Sequence, residues 1–97
     1  MQRSRIIEEK VLLKINRLRI ETLIMDWSGI LKVEAKVLHH LLRIIEGGNL
    51  MGCKSVLTGL RPEIVRNITR LGLTFENKAE TKATLRQALE DYMPFSQ

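Results

Sequence analysis

The chain has 97 residues, 44% of them hydrophobic and 28% charged, with a formal net charge of +5. That length supports one domain with a modest core and is too short for two, so residues 1–97 are read as a single domain. No apolar run approaches the roughly 20 residues that span a bilayer; neither GxGxxG nor GxxxxGK[ST] is present to cradle a nucleotide, and the lone Cys53 excludes an intrachain disulfide.

The amino terminus, "MQRSRIIEEK", has basic residues but no unbroken apolar core or small-residue cleavage site, so a cytoplasmic location is expected. Residues 1–20 carry six Lys/Arg against two Glu, and most of the positive charge lies there. Ile7, Val11, Ile15 and Leu18 recur at steps of four and three, which predicts an amphipathic helix over residues 4–19. "TLIMDW" (22–27) follows as a short apolar run suited to a buried strand, ending at Asp26 and the loop signal Ser28-Gly29.

A second helical stripe starts near Glu34 with Val37/Leu38, Leu41/Leu42 and Ile45, and Gly47 and Gly48 predict fraying or a bend. Gly52 suits a left-handed helix end. "KSVLTG" (54–59) predicts the second strand, and Pro62 opens a helix carrying Ile64, Ile68 and Leu71 that Gly72 ends. "LTF" (73–75) is the expected third strand, and Leu85, Ala88, Leu89 and Tyr92 mark a last helix over 82–92 that Pro94 closes. Alternation of this kind predicts an α/β fold with a mostly parallel sheet.

In an open α/β sheet the loops at the strands' carboxyl ends converge, and here they gather "DWSGILKVE" and "TGLRPE". Asp26 and Glu34 would be the acid/base pair of an enzyme, but acids at strand ends and helix starts commonly serve as caps or loop anchors. His39 and His40 are adjacent and so diverge by about 100° on a helix, unlike the i, i+4 pair that holds zinc. Cys53 has no sequence cue for a partnering base and is read as a buried thiol, and Trp27 as a core or rim anchor. Arg61, in the turn before a helix, is expected to be free to grip a partner's carboxylate or phosphate.

"LIMDWSGILKVEAKVLHHLL", "LMGCKSVLTGLRPEIVRNITRLGL" and "TKATLRQAL", in this order, resemble the STAS family, the sulphate-transporter and anti-sigma-factor-antagonist domains. The resemblance covers residues 6–92 and is nearest to the carboxyl-terminal domain of bacterial stressosome scaffold proteins that regulate sigma-B. It implies a non-catalytic module without cofactor or metal, whose phosphorylation by a partner kinase switches which regulator it holds. The family's acceptor Ser/Thr follows an acid at the start of its second helix; the matching pair here is Glu34-Ala35, and Ala35 has no hydroxyl to modify. Thr58 and Thr69 are the hydroxyls left in the second motif region, and the sequence does not decide which, if either, matches a further acceptor.

The family also places two strands before its first helix, and this sequence starts at that helix. A strand left unpaired would invite strand addition or dimerisation, so a homo-oligomer is expected. The leading reading is thus an anti-sigma-factor-antagonist-like interaction module. Its partners would be other stressosome-type proteins or a regulatory kinase or phosphatase, met through Asp26, Ser28, Gly29, Glu34, Thr58, Gly59, Arg61, Pro62 and Glu63. The alternative is a basic nucleic-acid-binding domain using Arg3, Arg5, Lys10, Lys14, Arg17 and Arg19. An enzyme is the weakest reading, because no nucleophile, base and oxyanion site come together in the sequence.

Overall fold

The computed structural model describes residues 2–75 and 77–92. Among these residues the order is α1 (Gln2–Leu18), β1 (Thr22–Asp26), α2 (Ala35–Leu50), β2 (Lys54–Thr58), α3 (Pro62–Arg70), β3 (Glu80–Lys82) and α4 (Leu85–Tyr92). The three strands form one parallel sheet in the order β1-β2-β3, with Asp26 opposite Thr58 and Thr58 opposite Lys82. The parallel α/β expectation therefore holds.

β2 is the best protected strand, since Ser55, Val56, Leu57 and Thr58 are all buried although successive side chains point to opposite faces. Both faces are covered, as a central parallel strand requires. Its Leu57 sits in a core cluster with Trp27, Leu38, Ile45, Ile64, Ile68 and Phe75, which come from both crossover helices and the loops around them. At about 25 cal/mol per Å² of apolar surface removed from water, burying a side chain of this size stabilises the fold by roughly 1.5–3 kcal/mol.

Two glycines fill their expected roles. Gly52 lies at φ +83 after α2, whose last turn is closed by Gly52 N–H to the Asn49 carbonyl at 3.1 Å, and Gly72 lies at φ +75 after α3. Gly47 and Gly48 do not fray the helix, which continues to Leu50. A methyl built on Gly47 would stand 2.8 Å from Leu12 Cδ2, so glycine there lets α1 close against α2. The weak helix propensity is offset by that packing.

The third strand is not Leu73–Phe75. Phe75 turns into the core and its carbonyl accepts N–H groups of Lys78 (2.9 Å) and Ala79 (3.0 Å), with Asn77 at φ +64; the chain reaches the edge of β2 only at Glu80. The last helix starts at Leu85 rather than 82, because Lys82 is still in the strand and Thr84 Oγ1 accepts the Gln87 N–H at 3.1 Å. The proposed stop at Pro94 lies outside the described residues. Leu71, expected in the buried stripe of α3, is 40% exposed.

α1 differs most from its sequence pattern. Of Ile7, Val11, Ile15 and Leu18, only Ile15 is fully buried, while Ile7 is 52% and Leu18 62% exposed. The helix leans on α2 instead: His40 Nδ1 lies 2.5 Å from Glu8 Oε1, and Leu12 and Ile15 meet Gly47 and Gly48.

Candidate functional site at the carboxyl edge of the sheet

The β1–α2 and β2–α3 loops leave the sheet at the same end, where Asp26 and Thr58 are register partners. Thr58 Oγ1 donates to Asp26 Oδ1 at 2.8 Å and Ser28 Oγ donates to Asp26 Oδ2 at 2.8 Å, so each carboxylate oxygen has a donor. The Thr58 bond first, and the Ser28 bond second, hold the Asp26 carboxyl below its usual range. With its carboxyl held low, Asp26 is ionised at neutral pH and serves as a loop anchor rather than as a group that passes protons.

Arg61 completes the junction. Its Nε and Nη2 both donate to the Ser28 carbonyl, at 3.2 and 3.0 Å, so the guanidinium ties the second loop to the first. The expected free gripping group is therefore engaged within the chain. Planar Arg offers two parallel N–H groups, which suits an oxygen with two lone pairs. Gly59 allows the approach: it sits at φ +67, and a Cβ there would come within 2.9 Å of Ser28 Cβ and 3.0 Å of its Cα and N. The backbone bond from Trp27 N–H to the Thr58 carbonyl, 2.8 Å, and that from Gly59 N–H to the Lys82 carbonyl, 3.4 Å, extend the tie across the three strand ends.

The rest of the edge is more open. Gly29 needs no special conformation, since a Cβ would meet nothing within 4 Å. Glu34 takes the N-cap position of α2 with φ −74 and ψ 150 but makes no side-chain cap bond, so the capping role expected of its carboxylate is not realised. Its carbonyl accepts the Leu38 N–H at 3.1 Å, and Ala35 begins the helix, exposed. Pro62 is the first residue of α3 and Glu63 follows in its first turn, where a negative charge suits the helix dipole.

Asn67 escaped the sequence reading. Its Nδ2 donates to the Val33 carbonyl at 3.2 Å, so α3 holds the β1–α2 loop at Val33 while Arg61, just before the helix, holds it at Ser28. A single sequence carries no signal for that bond, because the partners are 34 residues apart. Thr69 bonds back to the Val65 carbonyl at 3.0 Å within α3.

The remaining candidates sit elsewhere. Trp27 is buried in the core and Cys53 is a buried free thiol whose pKa burial raises, the opposite of an activated nucleophile. His40 is bound to Glu8 while His39 is exposed, and among the described residues no three of His, Cys, Asp and Glu gather as metal ligands. Likewise, no helix among those residues is long and apolar enough to cross a membrane.

Comparison with known proteins agrees with this fold. The profile of the STAS domain matches residues 2–88. The RsbT co-antagonist protein RsbRB of Bacillus subtilis is 39% identical over 88 residues, which are 91% of this chain and 31% of that protein. RsbRD of the same organism is 34% identical over 87 residues, 90% of this chain and 31% of that one. The chain thus spans about a third of the length of these curated relatives. YezB of B. subtilis, described as an uncharacterized protein, is 37% identical over 73 residues, 75% of this chain and 74% of its own. Among solved structures, a point variant of RsbS from Moorella thermoacetica superposes with a TM-score of 0.80 at 24% identity, covering 97% of this chain and 81% of that one. A chain of the stressosome, described as a signal integration and transduction hub, gives 0.79 with the same identity and coverage; both likenesses concern the fold. The chain belongs to the STAS domain family.

Proposed function

We propose that the chain is a non-catalytic regulatory module of the anti-sigma-factor-antagonist type, which assembles with itself and with other stressosome-type STAS proteins and engages a regulatory kinase of the RsbT kind. Its contact surface is the carboxyl edge of the sheet, formed by Asp26, Ser28, Gly29, Glu34, Thr58, Gly59, Arg61, Pro62 and Glu63. The observation that carries this reading is the Arg61–Ser28–Asp26–Thr58 network, which joins two loops into one fixed surface while occupying both oxygens of the acid that an enzyme would need free. A surface whose loops are held before encounter loses less conformational freedom on binding.

Ala35 stands at the phosphoacceptor-equivalent position, so the surface is set rather than switched there, and exposed Glu34 supplies a constant negative charge beside the start of α2. The test is co-sedimentation of the chain with an RsbS-type STAS protein and an RsbT-type kinase from one genome, in the presence of labelled ATP. A stable complex with no phosphate on residues 26–40 is expected, with Arg61→Ala weakening it about tenfold, the equivalent of about 1.4 kcal/mol. Phosphate on that segment, or turnover of a small molecule by the chain alone, overturns the reading.

A further inference from the structure

α2 shows solvent a narrow seam. Beyond Ala35 and up to Leu50 its exposed side chains are Lys36, His39, Arg43, Glu46, Asn49 and Leu50. Asn49 turns aside, its Nδ2 donating to the Lys78 carbonyl at 3.0 Å; the others follow one another at alternating steps of three and four. That is the a/d spacing along which one helix lies against another at a shallow angle. Both flanks are taken. On one, α1 closes through Glu8 at His40, Leu12 at Gly47 and Ile15 at Gly48; on the other, Lys78 meets Glu46 Oε2 at 3.0 Å.

The chemistry of the seam is one-sided. Lys36 and Arg43 stand one heptad apart, about 10 Å along the axis, and neither has a carboxylate within ion-pair distance among the described residues. Lys54, Lys78, Lys82 and Arg86 each have one. Lys36 also lies in the first turn of α2, which holds no acid and where the helix dipole opposes a cation, so α2 gains nothing of its own from that charge. Glu46 is neutralised by Lys78, and the seam ends on Leu50, which at 90% is the most exposed large apolar side chain among the described residues.

We propose that this seam seats one acidic amphipathic helix of a partner protein, with carboxylates against Lys36 and Arg43 and an apolar side chain against Leu50. The two cations set the preference for acid, and Leu50 supplies apolar contact at the end of the seam. Two other occupants fit the same residues less well. A second copy, with the seams in full two-fold overlap, would set Arg43 against Arg43 and Lys36 against Leu50. A nucleic-acid backbone would meet the cations but leave Leu50 in water. The seam shares no residue with the carboxyl-edge surface, and it stands or falls independently of the function proposed there.

The test is an NMR titration of the whole isotope-labelled chain with a capped, Ala-rich helical peptide that carries Glu at successive a and d positions and Leu at the last. Controls are the same peptide with Lys for Glu, and one of the same composition with its Glu residues moved to the opposite face. Shift changes are expected at Lys36, His39 and Arg43 and at the Leu50 methyls, with the Glu peptide bound at least about tenfold more tightly than either control. The variant Lys36→Glu/Arg43→Glu changes only exposed side chains, the first in a way that suits the helix dipole, and is expected to reverse the preference between the Glu and Lys peptides. Leu50→Ser is expected to weaken the Glu peptide and leave that preference in place. No binding, equal binding of the Glu and Lys peptides, shift changes confined to residues off the seam, or no reversal in the double variant overturns the proposal. So does association of the chain alone through Leu50 as its concentration rises, which marks a second copy, or an oligonucleotide that shifts Lys36 and Arg43 and displaces the peptide.

Discussion

Two polar networks hold this small fold, and they are built differently. At the carboxyl edge, the short side chains of Thr58 and Ser28 fill Asp26, Arg61 binds a backbone carbonyl, and Gly59 lets the two loops touch. On the β3–α4 flank, long side chains meet one another. Glu80 takes Lys54 and Lys82 at 3.1 Å each and the Tyr92 hydroxyl, Lys82 reaches Asp91 at 2.7 Å, and the Lys54 ammonium lies 5.3 Å from the centre of the Tyr92 ring. The first arrangement fixes where loops go, through atoms with little freedom to move. The second fastens a short helix through charges that water and salt screen. A fold of this size uses the first kind where a surface must keep its shape, and the second where an element must merely stay attached.

The sharpest way to break the contrast is Gly59→Ala. A left-handed conformation costs an L-residue roughly 1–2 kcal/mol, and the new methyl would press on the Cβ, Cα and N of Ser28 at 2.9–3.0 Å. A loss of about 2–4 kcal/mol in urea unfolding is expected, with the β1–α2 loop displaced. Gly47→Ala is the control: its methyl meets only the flexible tip of Leu12, and about 1 kcal/mol of helix propensity opposes the strain, so a change within about 1 kcal/mol is expected. Equal effects at the two glycines would mean that the loop contact is not tight. Next in size comes Thr58→Val, which keeps the shape of a fully buried residue but removes the donor to Asp26. It should lose about 1–2 kcal/mol.

Much of this is legible in the sequence, for identifiable reasons. The buried run of β2, the left-handed glycines at 52 and 72 and the proline opening α3 are local signals, and local signals survive folding. The third strand is misplaced by sequence because Leu73–Phe75 has the composition of a strand, whereas Glu80–Lys82 owes its pairing to the neighbouring β2. Arg61 stands out in the sequence but not as internally engaged, since its target is a backbone carbonyl 33 residues away. Asn67 and the ion-pair flank leave no trace for the same reason. The apolar spacing of α1 reads as a buried stripe; the structure uses the neighbouring stripe and leaves Ile7 and Leu18 outside.

The two networks should also part in acid. The Glu80 carboxyl is lowered from 4.5 to about 2 by the Tyr92 hydroxyl first, then by Lys54 and Lys82. A folded-state value below the unfolded one means that the ionised form stabilises the fold. That contribution is whole above 4.5 and is lost as pH falls toward about 2. Unfolding midpoints measured across that window should decline, and Glu80→Gln should flatten the part due to α4, read by hydrogen exchange at Ala88. Asp26 is lowered too, by Thr58 and Ser28, so Asp26→Asn should flatten a separate part, read in the loop between β1 and α2. If either variant flattened both readouts, the networks would be one unit rather than two.

The smallest effect on stability is expected from Arg61→Ala, and it is the most telling. The guanidinium is exposed and spans two loops, so removing it should change global unfolding by no more than about 0.5 kcal/mol. Locally the change is larger: the Ser28 carbonyl passes to water, and the β1–α2 loop is left with the Asn67 tie at Val33, the Asp26–Ser28 bond and the backbone bonds of Trp27. Hydrogen exchange at Gly29–Lys32 should quicken while the amides of β2 stay protected. Arg61→Lys should recover little, because one ammonium cannot place two parallel N–H groups on a single carbonyl. A loop equally ordered in all three proteins would show that the edge keeps its shape without the clamp, and the carboxyl edge would then differ from the α4 flank only in composition.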